Sequence, residues 1–224
     1  YRLVTVQLHP VNYNPVAGLL QVANDLTVEV EFVHPDWPAT EAVDRRYADP
    51  RSQAIMRSAA LNAPAFPATK GIHFEPASYL LIAPAGIYDI PEVDEFIQWK
   101  SVRGYDVVAA TLSETGSTAE QIRAYIRDAY DNWVRPPAYV LLLGDTNFVP
   151  NGIGDTGWRL ATDLYFSAIT DGDYFPDIGA GRMPFRTAEQ AANMFNKVLT
   201  YEKNTWDSDN AWTQHATFMA SRDN

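Results

Sequence analysis

Asp145, Asp163, Asp171, Asp173 and Asp177 carry the strongest chemical signal in this chain, and no Lys or Arg stands between Asp163 and Gly181. Carboxylates this close in sequence repel one another unless they are solvated, protonated or bound to a cation. Asp173 and Asp177 lie four apart in a segment broken by Pro176, so both can turn inward with backbone carbonyls between them. A hard cation such as calcium takes roughly six to eight oxygens at about 2.3–2.6 Å, and a mixture of carboxylates and carbonyls suits it. The bland alternative is a solvated acidic loop in which Asp163 caps a turn, the ordinary state of surface aspartate. The residues by themselves leave both readings open.

Other chemistries fail on context. Gly152-Ile-Gly-Asp-Thr-Gly157 has the spacing of a dinucleotide loop, but Pro150 intervenes after the preceding strand and Trp158-Arg-Leu-Ala-Thr opens no periodic helix. A loop is the better reading. Asp145 beside Thr146 suggests a phospho-acceptor, yet Ala83-Pro-Ala-Gly86 offers no acidic pair at an earlier strand end. There is no Gly-x-Ser-x-Gly elbow, no His-Glu-x-x-His and no phosphate loop. His9, His34, His73 and His215 are scattered, and His215 reads as structural. With no cysteine, these residues hold no disulfide, no zinc thiolate and no thiol nucleophile. A complete catalytic set is absent.

The bulk properties agree with a folded, non-nucleic-acid-binding chain. At 224 residues, 46% hydrophobic and 20% charged, it can bury a core as one large or two small domains. A net charge of −11 repels nucleic acid and anionic membrane surfaces. No run approaches the about 18 apolar residues of a membrane span. The chain opens at Tyr1 with no signal peptide and stops just after an apolar run, so a piece of a longer protein is expected.

The elements that must position the aspartates follow from pattern. Tyr139-Val-Leu-Leu-Leu143 is a short continuous apolar run ending at Gly144-Asp145, as in a parallel strand buried on both faces. Loops at the C-terminal ends of such strands hold ligands in open α/β sheets. Tyr79–Ala83 and Tyr105–Ala110 read as two further strands. Pro91 starts a helix with Val93, Phe96 and Ile97 on one face, ended by Arg103-Gly104. Ser117-Thr-Ala-Glu120 and Thr187-Ala-Glu-Gln190 read as capping boxes of two more helices. Asp177–Arg182 is a short strand with little side-chain bulk, and Trp212–Ala220 a closing one. Upstream, residues 1–33 alternate in strand fashion, with strands over Tyr1–Leu8 and Leu26–Phe32 and turns at Asn12–Pro15 and Gly18. Residues 34–77 lose periodicity and read as a linker or wrapping arm, with a short helix near Arg51–Leu61. The expectation is a Rossmann-like three-layer α/β/α fold with a mainly parallel sheet over residues 78–224, preceded by a small antiparallel β segment over 1–33.

Several motifs in order resemble the gingipain family of cysteine endopeptidases, a caspase-like group. They are Tyr79–Ala83, Phe96-Ile-Gln-Trp-Lys-Ser-Val-Arg-Gly104, Tyr139–Asp145, Thr162-Asp-Leu-Tyr165, Gly172-Asp-Tyr-Phe-Pro-Asp177, Gly181-Arg182 and Tyr201-Glu202. The likeness runs from about Ser78 to Ala220, and residues 1–33 look like the end of a β-rich propeptide. It implies the N-terminal, scaffold half of a protease secreted or carried on the cell surface. The implied partners are the C-terminal catalytic half of the same polypeptide and protein or peptide substrates. The resemblance further implies a calcium site using the carboxylates of Asp145, Asp173 and Asp177 and the carbonyls of Thr170 and Phe175. Asp177 stands where gingipains have Glu, one methylene shorter. The family's catalytic Cys and His fall beyond residue 224, so no catalytic residue is expected here. The competing expectation is a non-catalytic, calcium-stabilised binding module on the same half-fold.

Overall fold

A computed structural model of the chain describes residues 6–29, 31, 33–34, 36–47, 54, 57–58, 60, 76–154, 160–170, 175–204 and 211–219. The chain divides into two compact units, residues 1–74 and 75–224.

In the first unit, β1 (Val11–Asn14) and β2 (Leu19–Val22) form an antiparallel hairpin with Val11 opposite Val22 and Asn14 opposite Leu19. The Asn14 side chain accepts the Val16 and Ala17 N–H groups at 3.0 and 3.1 Å, and Gly18 takes a left-handed φ of 63°. Strands therefore form next to this turn, where the sequence pattern placed only turns. Residues 6–10 and 23–29 join no strand. Both strands are exposed along their length, so no buried face selects among alternating runs, and the shortest closure wins. Helix α1 (Trp37–Tyr47) lies in the stretch read as linker. Its signal was present: Asp36 accepts the Ala39 N–H at 3.0 Å, and Pro38 sits in the first turn. Of the helix expected near Arg51–Leu61, only Ala54, Arg57, Ser58 and Ala60 are described, the first three helical, and the rest lies outside the described residues.

The second unit runs β3 (Ala77–Ala83), α2 (Pro91–Val102), β4 (Tyr105–Thr111), α3 (Leu112–Thr115), α4 (Ala119–Asn132), β5 (Pro137–Leu143), β6 (Gly152–Ile153), β7 (Ala161–Thr162), β8 (Gly179–Met183) and α5 (Ala188–Lys203). The main sheet has the order β4-β3-β5-β8 with every pair parallel. Alternate residues of β3 and β5 face opposite layers. Leu80, Ile82, Val140 and Leu142 pack with Ile122 and Ile126 of α4. Leu81, Ala83, Leu141 and Leu143 pack with Val93 and Phe96 of α2 and Phe195 and Leu199 of α5. Covering both faces is why these strands read as unbroken apolar runs. The crossovers from β3 to β4 and from β4 to β5 run in opposite directions along the sheet, and the right-handed rule for such connections puts α2 and α4 on opposite faces. The three-layer α/β/α expectation holds.

Local signals hold with small shifts. The capping box of α4 is built on Thr118 and Gln121, one residue later than read, with Thr118 Oγ1 accepting the Gln121 N–H at 3.2 Å. At α5, Thr187 Oγ1 accepts the Gln190 N–H, while Gln190 Oε1 reaches back to the Arg186 N–H at 2.8 Å. The expected strand over Trp212–Ala220 is not formed among the described residues. Ala211–Gln214 make a 3-10 turn, and His215–Met219 follow with no sheet partner, Phe218 being 92% exposed. Alternation alone could not supply a ladder.

At the N-terminal ends of the strands, Lys100 of α2 enters a cage of Tyr79, Phe96 and Tyr105 rings, 5.0–5.9 Å from their centres. Its ammonium donates to both Glu202 oxygens at 2.6 and 2.9 Å, and Trp99 Nε1 donates to Glu202 at 2.9 Å, joining α2 to α5. Burial, then the Glu202 charge and Tyr139, push the Tyr79 phenol up from 10.0 to about 12. A folded-state value above the unfolded one stabilises fully below about pH 10 and is lost as pH rises through about 12. Two units correspond to roughly 2–3 kcal/mol. Alkaline titration of stability should fall in that window for the native protein and flatten for Tyr79→Phe; equal slopes for the two would refute it.

Candidate metal centre

β5 runs into Gly144, whose φ of 127° and close neighbour favour glycine, since a Cβ there would stand 2.9 Å from the Phe148 Cβ. The N–H groups of Gly144 and Asp145 donate to the Met183 and Phe185 carbonyls, each at 2.9 Å, so this rim stays latched to the end of β8. The Asp145 carbonyl accepts from Phe148 and Val149 at 2.8 and 3.0 Å, closing a turn. Its carboxylate accepts from Arg186 Nε and, at 2.8 Å, from the Thr146 N–H. These two donors, Arg186 foremost, hold the carboxyl below its usual range.

Asp163 is not a spare carboxylate either. Arg182 Nε and Nη2 grip its two oxygens at 2.7 and 2.8 Å, while Nη1 donates to the Gly144 and Val149 carbonyls at 2.9 and 2.6 Å. The acidic stretch lacks a Lys or Arg only up to Gly181; its counter-charge is the next residue. Sequence reasoning missed this pair because it depends on β8 lying beside β5.

Asp177 makes the third feature, with Ile169 and Thr170. Its Oδ2 accepts the Ile169 and Thr170 N–H groups at 2.7 and 2.8 Å, and Thr170 Oγ1 donates to Oδ1 at 2.8 Å. The Asp177 N–H donates in turn to the Ser167 carbonyl at 2.8 Å. From α4, Arg123 donates to the carbonyls of Tyr165 (3.0 Å), Ala168 (2.9 Å) and Ile169 (3.4 Å), another residue the sequence pattern did not mark. Asp171 and Asp173 lie outside the described residues; Phe175, within the loop, is 78% exposed.

The structure thus joins Thr170 to Asp177 but does not bring Asp145 to them. Tyr139 stands beside Gly179 and Leu143 beside Met183. Asp177 precedes the first pair and Asp145 follows the last, at opposite ends of two parallel strands. Four residue steps at about 3.3 Å put about 13 Å between those pairs, and Asp145 is held by Arg186 rather than by the Thr170–Asp177 pair. Among the described residues no group of three or more His, Cys, Asp or Glu converges. A carboxylate offers about four acceptor positions, and the Ile169 and Thr170 amides and the Thr170 hydroxyl fill three of those on Asp177.

Gly152, from the dinucleotide-like spacing, opens β6 instead. A Cβ there would lie 2.2 Å from the Tyr165 Cβ, so the glycine serves close packing against the 3-10 turn Leu164–Phe166. Residues 155–157 of that spacing, and 158–159 after it, lie outside the described residues.

With this geometry in place, known proteins can be set beside it. The profile of peptidase family C25 matches residues 72–224. Lys-gingipain of Porphyromonas gingivalis is 29% identical over 99% of this chain and 13% of its own length. Gingipain R2 of Porphyromonas gingivalis is 23% identical over 96% of this chain and 29% of its own length. A solved protease structure is 29% identical with a TM-score of 0.54, over 63% of this chain and 32% of the other. The complex of Porphyromonas gingivalis RgpB pro- and mature domains, 22% identical with a TM-score of 0.50 over 56% of this chain and 29% of the other, shares the fold alone. The chain spans less than a third of the length of each of these relatives. A parallel β4-β3-β5-β8 sheet bearing these motifs, with a profile match over most of its residues, makes the chain a member of peptidase family C25.

Proposed function

We propose that these residues form the N-terminal scaffold of a larger gingipain-like cysteine endopeptidase, secreted or held at the cell surface, that hydrolyses protein or peptide substrates. One observation carries the reading: the chain belongs to a peptidase family, a solved neighbour of which is named a cysteine proteinase, yet it has no cysteine and spans a small share of its relatives' length. The thiolate and its histidine belong to a catalytic half beyond residue 224, which docks on this one. There the thiolate attacks the scissile carbonyl, the histidine protonates the leaving amine and backbone amides hold the oxyanion. Residues 1–33 act as a propeptide-like segment and 34–77 as the linking arm. Among the described residues no helix is long and apolar enough to cross a membrane.

The same proposal assigns calcium to the loop, held by the carboxylates of Asp173 and Asp177 and the carbonyls of Thr170 and Phe175. The ion supplies positive charge where the loop's carboxylates would otherwise repel. Asp177 is already oriented for it by three local donors, while Asp145 remains with Arg186.

Two measurements on the full-length protein test this. An electrophilic thiol inhibitor should label it at one cysteine outside residues 1–224; a protein that stays unlabelled while its stability depends on calcium would be the non-catalytic binding module instead. A chelator at low salt should lower the melting temperature, and Asp173→Ala should abolish that response. At a hundredfold excess over the dissociation constant the ion contributes about 2.7 kcal/mol. A melting temperature indifferent to chelator returns the loop to a solvated acidic turn.

A further inference from the structure

We infer that Arg123 is a positioning residue for the cation loop, acting on Asp177 through the two peptide units that lie between them. This rests on the calcium reading above. Arg123 Nη2 takes the Ala168 and Ile169 carbonyls, and the Asp177 carboxylate takes the Ile169 and Thr170 N–H groups. These four atoms belong to two consecutive peptide units. In a trans peptide the C=O and the following N–H point in opposite directions. Each unit is therefore clamped between a guanidinium on one side and a carboxylate on the other. The chain's charges polarise both dipoles the same way, which strengthens the bonds at each end.

Further contacts keep the guanidinium in place. Nε donates to the Tyr165 carbonyl at 3.0 Å, and the group lies 5.0 Å from the centre of the Tyr165 ring. Arg123 thus spans the C-terminal side of the 3-10 turn Leu164–Phe166 and the start of the loop. Its planar fork matters, because an ammonium is a point charge and cannot hold several divergent carbonyls in fixed directions. With the two peptides held, Asp177 Oδ2 takes both amides and Oδ1 takes the Thr170 hydroxyl. Without Arg123 the peptides are free to rotate, and the carboxylate loses the orientation that a monodentate ligand needs. Partners behind a metal ligand commonly change affinity by about 10–100-fold.

The test uses the full-length protein and two readouts. Calcium dissociation constants, measured by calorimetry and by terbium luminescence, are compared for native protein, Arg123→Met, Arg123→Lys and Arg127→Met. Arg127, on the same helix, pairs with Asp131 and serves as the control. Arg123→Met is expected to weaken binding by about tenfold or more, Arg123→Lys by a smaller factor, and Arg127→Met not at all. In metal-free protein, hydrogen exchange at the Ile169 and Thr170 amides should quicken in Arg123→Met, while amides of β3 and β5 keep their protection. Arg123→Lys keeps the test usable should the methionine variant fail to fold. Native protein that binds calcium with a dissociation constant unchanged in the Arg123 variants overturns this inference alone. Native protein that binds neither calcium nor terbium overturns the calcium reading and takes this inference with it.

Discussion

Replacing Arg182 by methionine is expected to destabilise the protein by about 3–5 kcal/mol, because it breaks a largely buried ion pair and strands its partner. Arg182 has 10% of its side chain exposed and Asp163 has 32%. The loss does not stop at the charge. The Gly144 and Val149 carbonyls also lose their donor, each an additional penalty of about 1–3 kcal/mol where water cannot enter. Arg182→Lys should recover only a minority of the loss, since one ammonium cannot reproduce two parallel bonds to a carboxylate plus two carbonyl contacts. The double variant Arg182→Met with Asp163→Asn should be more stable than the sum of the single effects, because it no longer strands a charge. Urea unfolding of the native protein, the two Arg182 variants, Asp163→Asn and the double variant reads this directly. Additive losses would mean that the pair is solvent-screened and that the rim is held by other contacts.

Phe195→Ala is expected to be as damaging, by about 3–5 kcal/mol, for the opposite reason: it removes apolar bulk with nothing to refill it. Phe195 is fully buried and meets Phe96 edge to face with ring centres 5.1 Å apart. Leu81, Leu141 and Leu143 of the sheet lie in the same cluster. The ring therefore joins α2, α5 and the sheet at one point. Phe195→Leu should keep a large part of the stability, having most of the volume in a different shape. A loss below about 1 kcal/mol for the alanine variant would show a site able to collapse.

How far the sequence was legible depended on whether a feature was local. β3 and β5 were readable because both of their faces are buried, which forces continuous apolar residues onto them. α2 announced itself through Pro91, and α4 and α5 through threonine caps, to within a residue. α1 carried comparable signals in Asp36 and Pro38 but was hidden by the prolines around it. The β1–β2 hairpin was misplaced because exposed alternating strands have no preferred face. The site was legible in part. Thr170 and Asp177, joined only through the family resemblance, do meet, by the threonine hydroxyl rather than the expected carbonyl. Asp145 was joined to them by the same resemblance, and the parallel register of β5 and β8 sets it at the other end of the strands. The arginines that answer these acids lie far along the chain or on a neighbouring element, where one-dimensional spacing has no reach: Arg186 for Asp145, Arg182 for Asp163, Arg123 behind Asp177.

The placement of Asp177 at the far end of β8 from the Gly144 rim has a consequence for durability. A charge there is separated from the rim by more than the Debye length of about 8 Å at physiological salt, so it bears little on the groups at that rim. What it holds is the start of β8 against the Ile169 and Thr170 amides. If the full protein is the protease proposed above, a segment that opens transiently is cut in proportion to its open population. The Asp177 contacts would then bear on lifetime rather than on turnover.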